Sequence, residues 1–248
     1  MFYFPMAGLS SRFAEAGYRQ PKYFLDVGGL SLFQRSLQGF SRYFHSDGFC
    51  FVYLDTFVDE TTIRRWAQEI GLPRSNFTTV AVAKPTPGQA ATVVKGIDSL
   101  SQGEAQSEEV IIFNIDTIYR NFAKPATNMR HYLDVAKMAG RHWSFVQPDP
   151  GEPNRALRVV EKERISNLCS VGLYAFESAG EFRDLYHSFY NHKDPTLEHY
   201  VAPIYQSLID AGTLVEYRLL PASRFEFLGT PGEYEAIKNR QINKLFLN

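Results

Sequence analysis

The 248-residue chain is poor in cysteine, in long apolar runs and in net charge. Its two cysteines, Cys50 and Cys169, are too few for a disulfide scaffold or a cysteine-based zinc site, and they suit a reducing cytoplasm. No stretch approaches the roughly 18 apolar residues of a membrane span. The opening FYFPMAG lacks the basic and long apolar regions of a signal peptide. We therefore expect a cytoplasmic protein with no membrane partner.

The charges nearly cancel, because 26 basic residues face 27 acidic ones and leave a formal net charge of -1. Without a basic excess, no nucleic-acid partner is expected, and any bound anion must be held by local groups. The 44% content of hydrophobic residues is enough for a sizeable core. The length, together with the absence of repeats and linker-like segments, favours one domain.

The first half of the chain alternates short apolar segments with segments of helical periodicity. Strands are predicted at 1–5, 49–54, 77–82 and 109–115, and helices near 31–44, 59–71 and 88–100. In the first helix, Phe33, Leu37, Phe40 and Phe44 share one face and Ser31 is the expected N-cap. This alternation indicates βαβ units and a largely parallel sheet.

From about residue 120 the pattern changes to strands with little helix between them, at 142–147, 157–162 and 170–176. We expect these to add antiparallel strands to the same sheet. Helices are predicted again near 179–190 and 197–212, followed by a strand at 213–220 and a closing helix from about Pro231.

The loop after the first strand, MAGLSSRFAEAGYRQPK, has the composition of a phosphate site. Gly8 permits close backbone approach, Ser10 and Ser11 offer hydroxyls and amides, and Arg12 and Lys22 bring two cations. Ligands of open α/β sheets bind at such strand-to-helix loops. The loop has neither the P-loop motif GK[ST] nor the dinucleotide-binding motif GxGxxG. These residues alone therefore do not exclude an ordinary surface loop whose cations are only solvated.

The same stretch resembles the signature loop of the sugar-phosphate nucleotidyltransferases, the NDP-sugar pyrophosphorylase family. That pattern is an apolar strand, A-G-x-G-x-R and then P-K, which Ala7, Gly8, Arg12, Pro21 and Lys22 match. Ser10 stands where a glycine is usual. The variant SRF…AGY…PK is similar to a branch of capsule and surface-polysaccharide pathways.

Four further segments resemble the family in the same order and extend the likeness over nearly the whole chain. TPGQAATV (86–93) is similar to the base-recognition segment and IIFNID (111–116) to the strand ending in a metal-binding aspartate. VVEKERISNLCSVGLYAF (159–176) resembles the sugar-phosphate segment, and FLGTPGEYEAI (227–237) the family's late Gly-Thr segment. The resemblance implies an α/β fold, a GT-A/Rossmann-like three-layer sandwich with a mixed, mainly parallel central sheet. It also implies a single domain over 1–248, with a nucleotide-binding half at 1–118 and an acceptor-binding half at 119–248.

The family reaction is the attack of an acceptor phosphate oxygen on the α-phosphorus of an NTP. The resemblance implies that Arg12 binds the β- and γ-phosphates and that Lys22 binds the α-phosphate. Nucleotide contacts are implied for Ala7, Gly8, Leu9, Ser10, Ser11, Gly88, Gln89 and Ala90, and acceptor contacts for Glu161, Lys162 and Gly172.

Magnesium is the implied cofactor, with Asp116 as its ligand. Relatives use a second aspartate two positions before the late Gly-Thr, and here that position is Phe227. Either the adjacent Glu226 replaces it, or substrate and water complete the shell. Strand alternation weighs against Glu226, because neighbouring side chains point to opposite faces.

Three functions stay open at this stage. The favoured one uses an NTP and a sugar 1-phosphate. The second is a CTP-dependent cytidylyltransferase acting on a small non-sugar phosphate. The third is a non-catalytic nucleotide or sugar-phosphate sensor, suggested by Ser10 and Phe227 in place of the family's residues. The expected partners are an NTP and a phosphorylated small molecule, and a homodimer is left open.

Overall fold

The computed structural model describes residues 1–100, 107–191, 193–194 and 196–238. Its strands are β1 (Phe2–Met6), β2 (Phe49–Leu54), β3 (Phe77–Val82), β4 (Val110–Phe113), β5 (Thr117–Tyr119), β6 (Tyr132–Lys137), β7 (Ser144–Pro148), β8 (Ala156–Glu161), β9 (Leu168–Phe176), β10 (Glu216–Leu219) and β11 (Phe225–Phe227). Its α-helices are α1 (Ser11–Glu15), α2 (Leu32–Gln38), α3 (Glu60–Glu69), α4 (Gln89–Ser99), α5 (Ala179–Tyr190), α6 (Ile204–Asp210) and α7 (Pro231–Lys238). None of these described helices is long and apolar enough to cross a membrane.

The described strands form a mixed central sheet in the order β10-β6-β9-β4-β1-β2-β3. The neighbours β3, β2, β1 and β4 run parallel, as do β10 and β6, whereas β9 is antiparallel to β4 and β6. Strand β7 adds antiparallel pairs to β9 and β8, and β5 with β11 forms a separate antiparallel pair. The predicted mixed, mainly parallel sheet is therefore confirmed, including the antiparallel strands of the second half.

Two apolar clusters, one on each face of the sheet, make the molecule three layers thick. On one face, α2 and α3 contribute Phe33, Leu37 and Ile63, which cluster with Phe2 and Phe4 of β1. On the other face, α4, α5 and α6 pack around the intervening Tyr3; their buried members include Val93, Ile97, Phe182, Ile204 and Leu208. Alternate residues of β1 thus serve opposite cores, as the period of a buried strand requires.

Several element bounds follow the sequence pattern, whereas others differ for identifiable reasons. Strands β2 and β3 coincide with the predicted segments, and Ser31 caps α2 in a capping box with Gln34. Helix α2 ends at Gln38 rather than near residue 44, and a 3₁₀ turn at Ser41–Tyr43 follows. Helix α6 begins only at Ile204, because Pro203 is its N-cap and a proline disfavours helix in the residue before it.

The carboxyl ends of β1 and β4 lie side by side because the two strands are parallel neighbours. The chain leaving β1 forms the loop before α1, and the chain leaving β4 carries Asn114 and Asp116. The Leu228 N–H donates to the Asp116 carbonyl at 2.8 Å, which draws the segment after β11 to the same place. This end of the sheet is therefore where distant parts of the chain converge.

Candidate active site

A cavity of about 520 Å³ opens at the carboxyl ends of β1 and β4. This volume lies in the range of small-molecule sites. Of the residues predicted from the sequence, those that line it are Gly8, Leu9, Ser10, Ser11, Arg12, Lys22, Gly88, Gln89, Asp116, Glu161, Lys162 and Gly172. The fold therefore brings all the segments that carry the family resemblance to one cavity.

The loop after β1 is shaped by a strained residue. Ser10 has φ 51° and ψ 39°, in the left-handed region that glycine occupies most easily. Its hydroxyl accepts a hydrogen bond from the Lys22 backbone N–H at 3.3 Å. This conformation gives a physical reason for glycine at the position in relatives, and the serine hydroxyl adds a link between the loop and the Lys22 turn.

Two cations of this loop face the cavity in different settings. Arg12 lies in the first turn of α1, is exposed, and makes no ion pair with the described part of the chain. Lys22 begins a 3₁₀ turn (Lys22–Phe24), and its Nζ lies 2.6 Å from Oδ2 of Asp116. Because both members of this pair are only partly buried, at 25% and 18% exposure, they remain accessible to a ligand.

The donor set around Asp116 fits a hard divalent cation such as Mg²⁺. Besides the Asp116 carboxylate, the Asn114 side chain lines the cavity, and its buried Oδ1 has no hydrogen-bond partner among the described residues. Carboxylate and amide oxygens are ligands that Mg²⁺ accepts, with water and phosphate oxygens completing the shell. The site thus offers two oxygen donors from one short segment.

The structure places Glu226, one of the two options for completing the metal shell, outside the lining of the cavity. In β11, Glu226 pairs opposite Ile118, and its carboxylate lies 3.0 Å from the Arg120 guanidinium. Phe227, rather than Glu226, lines the cavity, as the alternation of a strand requires. Glu233, which follows β11, also lines the cavity, and its Oε2 accepts a hydrogen bond from the Thr230 N–H at 2.9 Å.

Glu161 and Lys162, the predicted acceptor contacts, are held by their neighbours. Glu161 ends β8 opposite Ser144 of β7, and its carboxylate accepts a hydrogen bond from the Ser144 hydroxyl. Burial raises the pKa of Glu161. Lys162 has φ 57°, and its ammonium donates to the Tyr200 hydroxyl and lies 4.5 Å from the centre of that ring. Both side chains are therefore oriented before any ligand arrives.

Gly172 is required by close packing. Its φ is 85°, and an added Cβ would lie 2.7 Å from Nδ2 of Asn114. The Gly172 carbonyl also accepts the Asn114 N–H at 3.0 Å. The absence of a side chain at position 172 of β9 therefore allows the Asn114 side chain to take its place in the cavity.

Only part of the segment at the start of α4 faces the cavity. A Cβ on Gly88 would lie 2.6 Å from the His199 backbone nitrogen and oxygen, and the Ala90 N–H donates to the His199 carbonyl at 2.9 Å. Ala90 is fully buried and does not line the cavity, which removes its amide from the predicted nucleotide contacts. Gln89 does line it, whereas Ala7 is 1% exposed and does not.

The cavity also contains residues that the sequence reasoning missed. The Trp143 ring lies 4.3 Å from that of His142 and 4.8 Å from that of Phe227, measured between ring centres, and all three residues line the cavity. Further missed lining residues are Asn114, Ser144, Glu198, Tyr200 and Glu233. The one available signal was a Trp, one of only two in the chain, at the second position of the strand predicted at 142–147.

Comparison with known proteins adds one relative of clear sequence similarity. No protein-family model matches the chain, and no curated protein matches it. The nucleoside-diphosphate-sugar pyrophosphorylase from Vibrio cholerae RC9 is 34% identical, covers 96% of this chain and 99% of its own, and superposes with a TM-score of 0.89.

Two more distant structures share the fold. The inositol-1-phosphate CTP transferase from T. maritima is 14% identical, with 98% of this chain and 94% of that one covered and a TM-score of 0.71. A UDP-glucose pyrophosphorylase in complex with UDP-glucose is 14% identical, with 98% of both chains covered and a TM-score of 0.74. Because the Vibrio cholerae relative matches over almost its whole length, this chain belongs to the nucleoside-diphosphate-sugar pyrophosphorylase family and is a nucleotidyltransferase that acts on a phosphorylated acceptor.

Proposed function

We propose that the protein transfers a nucleotidyl group from an NTP to a sugar 1-phosphate and releases pyrophosphate. The observation that supports the proposal is the presence of cationic side chains at two separate places in one cavity. Arg12 and Lys22 stand at the β1 and β4 side, and Lys162 stands at the β8 side. A reaction that joins two polyanions needs such sets, since their charges otherwise keep them apart.

In the proposed reaction, an acceptor phosphate oxygen forms a bond to the α-phosphorus of the NTP. The bond from that phosphorus to the bridging oxygen breaks, and pyrophosphate leaves with the electron pair. Arg12 binds the β- and γ-phosphates, and Lys22 stabilises the charge that grows on the α-phosphate. The residues of the loop at 8–11 and Gln89 hold the nucleotide. No protein nucleophile is needed, because positioning and charge neutralisation account for this chemistry.

Asp116 and Asn114 are the proposed holders of Mg²⁺. Bound there, the ion would act as a Lewis acid and as a template for the phosphates. The ion pair with Lys22 uses Oδ2 of Asp116. When the carboxylate binds a cation, the Lys22 ammonium is free to turn toward a phosphate oxygen.

On the acceptor side, Glu161 accepts hydrogen bonds from sugar hydroxyls and Lys162 binds the acceptor phosphate. Trp143 and Phe227 offer an apolar wall beside them. The loop variant SRF…AGY…PK supports a role in capsule or surface-polysaccharide synthesis, and the cysteine content supports a cytoplasmic location. A homodimer stays a prediction.

The test is pyrophosphate release by the purified protein with Mg²⁺, each common NTP and dTTP, and a panel of phosphorylated acceptors. Turnover with a sugar 1-phosphate would support the proposal and identify the base. Turnover only with CTP and a small non-sugar phosphate would replace it with the cytidylyltransferase alternative. Calorimetric NTP binding without turnover of any pair would favour the sensor.

A further inference from the structure

A second group of ligand-type side chains lies far from the cavity, where His131, Glu177 and Glu181 meet. His131 directly precedes β6, Glu177 directly follows β9, and Glu181 lies in the first turn of α5. One ligand atom from each lies within 4.8 Å of the others. The last residue of β9 pairs with the first residue of β4, so this group is at the opposite end of the sheet from the active site. Nucleotidyl transfer therefore does not account for it.

The imidazole of His131 is the buried centre of the group. The residue is 2% exposed, and its Nδ1 is buried without a hydrogen-bond partner among the described residues. Its Nε2 lies 3.6 Å from Oε1 of Glu181 and 3.9 Å from Oε2 of Glu177, beyond hydrogen-bond distance. Nδ1 is on the other edge of the ring and would not be a ligand here. Nε2 of this buried residue faces two carboxylates without a hydrogen bond to either, an arrangement in which one bound cation would satisfy all three groups.

Two ionisable side chains of the group are affected by burial. Burial lowers the pKa of His131. Burial also raises the pKa of Glu181, whose Oε2 has no hydrogen-bond partner in the described part of the chain. A divalent cation would compensate the cost of holding two carboxylates close together here.

Glu177 is oriented from outside the group. Its Oε1 lies 2.9 Å from the Arg130 guanidinium, which leaves Oε2 toward His131. Carboxylate ligands of metals are commonly held in this way by a neighbour that bonds the second oxygen. The Glu177 side chain is 45% exposed, so it can move the short distance needed to reach bonding range.

We propose that His131, Glu177 and Glu181 bind a divalent transition-metal ion, with Zn²⁺ the best match. One imidazole and two carboxylates are ligands that Zn²⁺ accepts in tetrahedral geometry, with water in the fourth position. Mg²⁺ favours all-oxygen octahedral sites, so the two ions would divide between the two ends of the sheet. The ion would join the start of β6, the end of β9 and the start of α5.

The test is a Zn²⁺ titration of the whole protein by chelator competition in excess Mg²⁺, with metal analysis after gel filtration. One equivalent of Zn²⁺ per chain is expected. His131→Gln and Glu181→Gln should each lower the affinity at least about tenfold, because each removes a direct ligand. Glu152→Gln is the matched control, since Glu152 is an exposed acid paired with Arg155, and it should leave the affinity unchanged. The Asp116→Asn protein should also bind one equivalent of Zn²⁺ per chain.

Failure of the wild-type protein to retain Zn²⁺, or equal retention by His131→Gln, would overturn the proposal. Because His131 is buried and its variant can misfold, Glu177→Gln gives an independent result from a half-exposed position. Loss of Zn²⁺ from this variant with an unchanged circular dichroism spectrum and unchanged Mg²⁺-dependent turnover would support the site. Undiminished Zn²⁺ binding by the folded Glu177→Gln protein would count against it.

Discussion

Lys22 is the residue on which the proposed chemistry depends most, because its ammonium forms an ion pair with Asp116, which is also a proposed metal ligand. Lys22→Ala should lower kcat by at least about a hundredfold, the usual loss for one donor that stabilises transition-state charge. Steady-state pyrophosphate release measures this. Lys95→Ala is the matched control, since Lys95 is exposed on α4 and does not line the cavity. A Lys22→Ala enzyme with near-normal kcat would place the chemistry elsewhere.

Substitutions of Asp116 and of Glu226 should affect the Mg²⁺ dependence of the rate differently. Asp116→Asn should raise the Mg²⁺ concentration for half-maximal rate at least about tenfold, because it removes the one carboxylate proposed to bind the ion. Glu226→Gln should leave that concentration unchanged, because Glu226 faces Arg120 outside the cavity. Rate measurements across a Mg²⁺ series compare the two. A shift in the Glu226 variant alone would reverse the assignment.

Lys162 should act on acceptor binding more than on the chemical step. Its ammonium is held by the Tyr200 hydroxyl at the acceptor side, away from the proposed α-phosphate position beside Lys22. Lys162→Ala should raise the acceptor KM about 10- to 100-fold, the range of a lost charge-assisted hydrogen bond, with kcat largely kept. Initial rates over an acceptor series check this. A fall in kcat with unchanged KM would move Lys162 into the chemistry.

At the scale of elements, the tight contact between β9 and the segment after β4 can be measured with two glycines. Gly172→Ala adds a Cβ 2.7 Å from Asn114 at φ 85°, whereas Gly212→Ala, after α6, has φ 79° and nothing within 4 Å. Both variants strain the backbone, but only the first clashes. Gly172→Ala should therefore lower the free energy of unfolding by about 1–3 kcal/mol more than Gly212→Ala, as overpacking does. Urea unfolding measures both, and equal losses would mean that Asn114 moves aside freely.

The elements also show what the pattern of residues could and could not predict. β2 and β3 were predicted with their observed bounds, because each is an apolar or β-branched run between turn signals. β6 was missed because its centre is Asp134, whose burial is compensated by the Arg218 guanidinium on β10, 2.6 Å away, and by a hydrogen bond from the Tyr119 hydroxyl. β5 and β11, at three residues each, are too short to give a period.

The same distinction holds for the site. Residues within motifs, such as Lys22, Asp116 and Glu161, were predicted through the family resemblance and do line one cavity. Tyr200 and Trp143 were missed because they come from segments whose position depends on long-range contacts rather than on local spacing. Glu226 shows the limit of proximity in sequence, since Phe227 occupies the cavity face of the same strand, as the strand alternation that weighed against Glu226 requires.

At the scale of the whole molecule, the two halves predicted from the sequence share one sheet and the apolar clusters on its two faces. β4 from the first half hydrogen-bonds to β1 on one side and to β9 on the other. One apolar cluster joins Phe4 and Ile111 of the first half to Tyr132 and Leu173 of the second. Neither half can therefore bury its apolar surface alone, and the two sides of the cavity, although they come from different parts of the chain, depend on the same sheet.

A fragment of residues 1–118 should consequently not fold, because the sheet edge at β4 and the apolar face that β9 covers would both be exposed. Circular dichroism and urea titration of this fragment should show no cooperative transition, whereas the whole chain should unfold in a single one. An NTP with Mg²⁺ should raise the midpoint of the whole chain, since a ligand that binds only the folded cavity stabilises the fold in proportion to its occupancy. Cooperative unfolding of the isolated fragment would instead mean that the nucleotide side folds independently and that the acceptor side is added to a preformed domain.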